Sequence, residues 1–77
     1  MISIKRVLLG NDHDDSKWVV LEGSVEGVPQ VTKRRTINTA ALVSGDTTVE
    51  FEVAALKADV TEYLARYQAV QAVLSEL

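Results

Sequence analysis

Seventy-seven residues make one domain, near the lower size at which a hydrophobic core suffices by itself. The chain has no Cys and one His, which excludes disulfides, cysteine nucleophiles and a structural zinc site. The formal charge of −3 is uneven: residues 1–38 hold six basic against five acidic residues (+1), and 39–77 two against six (−4). General nucleic-acid binding is therefore not expected, although a local basic face stays open.

In chain order, "ISIKRVLL" (2–9) predicts a strand. Its apolar positions change face between Ile4 and Val7, which implies either a bulge or burial on both faces. "NDHDD" (11–15) follows, with Asp12, His13, Asp14 and Asp15 adjacent. An EF-type calcium loop starting at Asp12 would put Ser16 at position 5, Lys17 at the glycine position and Gly23 at position 12, so it fails. Starting at Asn11 fails as well, with His13 at position 3 and Ser16 at the glycine position. A charged loop between strands is the expectation, with no metal site.

"WVVLEGSVEGVPQVTKRRTI" (18–37) predicts a hairpin around a two-residue Glu26–Gly27 loop, with Gly27 at positive φ. An unbroken register would pair Val25 with Val28, Leu21 with Thr32 and Trp18 with Arg35. Pro29 cannot donate to a ladder, so either the returning strand is at a sheet edge or its proline faces outward. "SGD" (44–46) is a turn signal. In "TTVEFEV" (47–53), Val49, Phe51 and Val53 alternate with Thr48, Glu50 and Glu52, which predicts a fourth strand with one acidic face.

The last third is helical. Leu56, Val60, Tyr63, Tyr67, Val70, Leu74 and Leu77 are spaced 4-3-4-3-4-3, a heptad seam, and no Gly or Pro interrupts it. The start falls at Ala54 or at Asp59, where "DVTE" resembles a capping box. Ala58, Ala65 and Ala72 recur seven apart on another side. The expected fold is α+β: a small antiparallel β-sheet of three to four strands, followed by one long C-terminal amphipathic α-helix. The whole is a single domain (1–77), with residues 1–53 forming the sheet region and 54–77 the helix.

Uninterrupted apolar runs reach only four residues, against the ~20 of a spanning helix, and the start shows no signal-peptide pattern. The expected location is cytoplasmic, or the virion if the chain is phage-encoded.

Two candidate sites emerge. Lys33 and Arg35 share a strand face, and in the unbroken register Trp18 lies opposite Arg35 with Lys17 nearby. A basic face carrying an aromatic can bind single-stranded nucleic acid by stacking and phosphate contacts. The plainer reading is an edge strand guarded by charge. The second candidate is the seam Val60, Tyr63, Tyr67, Val70, Leu74 and Leu77. A helix from Ala54 to Leu77 is ~36 Å long, whereas a seven-residue strand is only ~23 Å. The helix should overhang its sheet and leave Val70, Val73, Leu74 and Leu77 partly uncovered.

Catalysis has no foothold. His13 is the only imidazole, and neither a G-x-S-x-G elbow nor a G-K-S/T phosphate loop occurs. The expected function is a non-enzymatic protein–protein interaction or structural accessory module, of the kind found among small phage or virion proteins. It would self-associate as a homo-oligomer or dock on a larger protein, and no cofactor is expected. The alternative is a single-stranded nucleic-acid-binding protein using Lys17, Trp18, Lys33 and Arg35.

Overall fold

The computed structural model describes residues 1–8 and 17–77. Three strands, β1 (Ile2–Val7), β2 (Trp18–Val25) and β3 (Val28–Asn38), form an antiparallel sheet in the order β1-β2-β3. A short helix α1 (Thr39–Ser44) and a long helix α2 (Val49–Leu74) follow. The α+β class and the terminal helix match the sequence expectation. The sheet has three strands among the described residues, not four.

The fourth strand, expected at Thr47–Val53, is instead the beginning of α2. Thr48 is extended and its side chain accepts a hydrogen bond from the Phe51 N–H at 3.1 Å, an N-cap that satisfies one orphan donor. Glu50 and Glu52 then lie in the first turn, where the helix dipole favours negative charge. The alternation was coincidental. Phe51, expected inside, is 63% exposed, while Glu52, expected outside, is 8% exposed. The helix thus starts ahead of both Ala54 and Asp59. α1 was not foreseen either. It is capped by Asn38, whose side chain accepts from Ala40 N–H at 2.8 Å, and it ends at Gly45 in the left-handed region.

In the β2–β3 hairpin, Gly27 takes a φ of 80° as expected, and Val25 pairs with Val28. The register then shifts. Ser24 opposes Thr32, so Pro29, Gln30 and Val31 have no partner on β2. Pro29 lacks an N–H, which makes a bulge its natural place in a sheet, and Thr32 Oγ1 donates to the Pro29 carbonyl at 3.1 Å across it. Leu21 consequently pairs with Arg35 and Trp18 with Asn38, correcting the Leu21–Thr32 and Trp18–Arg35 pairs of the unbroken register. The slip is odd in number, so it carries the rest of β3 to the opposite face.

β1 resolves its own ambiguity. Its register with β2 runs unbroken from Ile2–Val25 to Val7–Val20, so there is no bulge. Ile2 and Ile4 pack on the core, and Val7 falls on the other face.

α2 crosses one face of the sheet and buries Leu56 and Val60 completely against Leu21, Val25, Val31 and Ile37. Each such side chain contributes ~1.5–3 kcal/mol. Gly23 permits the close approach: a Cβ there would lie 2.7 Å from Val60 Cγ2 and 3.0 Å from Ile4 Cδ1. The opposite face carries a row of charges in which Glu22, on the central strand, meets Arg34 Nε at 2.9 Å and Lys5 Nζ at 3.8 Å. These residues are also cross-strand partners, an arrangement that favours this register.

Candidate functional site

The candidate residues fall in two regions: the basic residues of β3 together with Lys17 and Trp18, and the seam of α2. The bulge decides the first. Lys33 now opposes Gly23, and Arg35 opposes Leu21, so both side chains lie on the face covered by α2. Lys33 Nζ stands 5.1 Å from the centre of the Tyr63 ring, a cation–π contact of ~0.5–1 kcal/mol at an exposed site. The Arg35 guanidinium pairs with the Glu52 carboxylate, which also accepts from Thr47 Oγ1 at 2.8 Å. These two hydrogen bonds, the Arg35 one first, hold the Glu52 carboxyl below the usual range despite the opposing effect of burial. Trp18, 43% exposed, is on the other face of the sheet from Lys33 and Arg35. The Lys17 carbonyl accepts from Thr39 N–H at 2.9 Å. The four residues Lys17, Trp18, Lys33 and Arg35 are therefore not assembled into one basic–aromatic surface.

Between β3 and α2 lies an open depression of about 320 Å³ lined by Lys33, Asp59, Glu62, Tyr63 and Arg66. Its charges are mixed, and Arg66 pairs with Glu62 one turn earlier. Sequence reading marked Asp59 and Glu62 only as the ends of a capping-box pattern, and did not mark Arg66. The Glu62–Arg66 spacing of four on a helix was the available signal. Among the described residues no Ser or His lines the depression. Among the described residues no group of His, Asp or Glu could hold a metal ion; the Asp12–Asp15 stretch lies outside them. No described helix is long and apolar enough to cross a membrane.

The seam divides in two. Val60 is fully buried, and Tyr63 and Tyr67 are partly buried against the core. Beyond Tyr67 every residue from Gln68 to Leu77 is exposed. Val70 is 54% exposed, Val73 65%, Leu74 50% and Leu77 100%. The reason is length. The 26 residues of α2 span ~39 Å at 1.5 Å each, and the eight of β2 about 27 Å. The radius of gyration, 15.1 Å, exceeds the ~11–12 Å of a compact chain this long. The expected overhang is present, and the earlier helix start lengthens α2 toward its N-terminus without drawing its C-terminal end onto the sheet.

The fold and site thus define a three-stranded sheet with a helix that outruns it. The chain matches no protein-family model, no curated protein and no solved structure.

Proposed function

We propose that this chain is a small non-enzymatic interaction or structural accessory module that engages a protein surface, its own copy first, through the C-terminal part of α2. One observation carries the proposal: an apolar seam that is fully buried at Leu56 and Val60 continues in the same spacing through Val70, Leu74 and Leu77, where nothing described covers it. A chain this small has little core to spare, and contiguous exposed apolar surface at a defined helical spacing is a common form of protein recognition. The nucleic-acid alternative draws less support, because the cationic groups of Lys33 and Arg35 are engaged by Tyr63 and Glu52.

The test is sedimentation of the wild type beside Leu74→Ala/Leu77→Ala over a range of concentrations. The expected result is reversible assembly of the wild type and a folded monomer for the variant. Two folded monomers with matching melting temperatures at every concentration would overturn self-association through this end.

A further inference from the structure

β3 is an outer strand of the sheet. β2 pairs with one side of Thr32–Ile37, and among the described residues no backbone hydrogen bond reaches the other side. That stretch, ~20 Å of strand, turns the N–H and C=O groups of every second residue toward open space. Beside it lies the depression of about 320 Å³, walled by Lys33 from β3 and by Asp59, Glu62, Tyr63 and Arg66 from α2. A further strand laid on this edge would pass along that stripe of α2, with alternate side chains pointing into the depression.

The charges of the depression are not equally committed. Arg66 pairs with Glu62. Lys33 rests on the Tyr63 ring, its Nζ 5.1 Å from the centre. Among the described residues Lys33 meets no carboxylate within ion-pair distance, and Asp59 on the facing wall meets no cation. One positive and one negative group are thus left for an occupant. Their order follows from the helix direction. Arg35 pairs with Glu52 while Lys33 lies on Tyr63, so α2 runs against β3. Asp59, one turn before Tyr63, therefore lies on the Arg35 side of Lys33.

We infer that the outer edge of β3 takes up an extended segment of a foreign protein as a fourth, antiparallel strand. A Lys or Arg of that segment faces Asp59, and two residues later an Asp or Glu faces Lys33. The spacing agrees: alternate side chains of a strand stand ~6.8 Å apart on one face, and one turn of α2 separates Asp59 from Tyr63 by ~6 Å. Backbone pairing provides attachment and the two charges provide sequence choice, as in other added-strand contacts.

A second copy does not offer such a strand. β3 laid antiparallel on itself about Arg34 would set Lys33 against Arg35 and Arg34 against its own counterpart. The other edge strand, β1, carries Lys5 and Arg6 and no acid. Like charges directly opposed across a sheet are destabilising. This surface is also separate from the end of α2, so the inference does not depend on self-association there.

The test is a nuclear magnetic resonance titration of the isotope-labelled full chain with short Thr/Val peptides blocked at both ends. The first carries Lys two positions before Glu, the second Glu two positions before Lys, and the third the two side by side, which sends them to opposite faces. The expected result is binding of the first at roughly 10–100 μM, about ten-fold tighter than the others. Amide shifts should be confined to Thr32–Ile37 and Asp59–Arg66. The exposed charge swap Lys33→Glu/Asp59→Lys should transfer the preference to the second peptide, and the wild-type comparison decides alone if that variant does not fold. No binding of any peptide up to about 1 mM, equal affinity for all three, or a wild-type preference for the second would overturn the inference. So would shifts at the end of α2 with the β3 amides unmoved.

Discussion

Replacing Glu52 by Gln isolates the link between the start of α2 and β3. The residue is 8% exposed, and its carboxylate joins Thr47 on one side and Arg35 on the other. Gln keeps the size and can still meet Thr47, but it leaves the Arg35 guanidinium facing a neutral amide. A hydrogen bond to a charged group contributes ~1.5–3 kcal/mol. The Arg35 side chain is 34% exposed, so water recovers part of the loss, and the expected destabilisation at neutral pH is about 1–2 kcal/mol. The pH dependence has a definite sign. The Glu52 carboxyl is held below its ordinary value of 4.5, by Arg35 first and Thr47 second. As pH falls, the unfolded chain therefore takes up this proton before the folded one. The contribution is fully present above about pH 4.5 and is lost as the pH falls through the lower folded value. Urea denaturation followed by circular dichroism, on both proteins from pH 7 to pH 3, measures this directly. The gap between wild type and Glu52→Gln should be present at pH 7 and close below about pH 4.5. No gap at pH 7, or a gap that stays constant down to pH 3, would refute the reasoning.

Gly23→Ala should destabilise the fold by ~1–3 kcal/mol, since its Cβ would meet Val60 Cγ2 at 2.7 Å. Adding Val60→Ala should make the two losses less than additive in thermal or urea melts, because the clash is then removed. For single-stranded DNA, the wild type should show no salt-sensitive submicromolar binding in fluorescence anisotropy. A steep salt dependence reduced by Lys33→Ala and Arg35→Ala would favour the nucleic-acid alternative instead.

What could be read from the sequence depended on how local the signal was. The Glu26–Gly27 turn and the seam are local patterns; the turn stands where expected, and the seam lies on α2 from Leu56 to Leu74, with Leu77 beyond the helix end. The overhang followed from simple lengths. "TTVEFEV" misled because a period of two over seven residues can coincide with a helix start, and the deciding contacts, Glu52 with Arg35 and Thr47, lie partly outside it. The basic face failed for a different reason. One bulge at Pro29 shifts β3 by three residues and moves Lys33 and Arg35 from the Trp18 face to the α2 face. Pro29 was legible as an irregularity; its size, and hence its parity, was not. The Glu52–Arg35 pair was invisible for the same reason, because it exists only after that flip.

The central claim is that the end of α2 is a contact surface, and amide hydrogen exchange along the helix tests it most directly. In an isolated chain the amides near Gln71–Leu74 belong to an exposed terminal turn and should exchange rapidly, while those from Leu56 to Val60 are protected by the core. Measured at about 5 μM and again at about 500 μM, protection near Gln71–Leu74 should rise several-fold, with the Leu56–Val60 amides changing little. Equal, rapid exchange of this end at both concentrations would contradict the account.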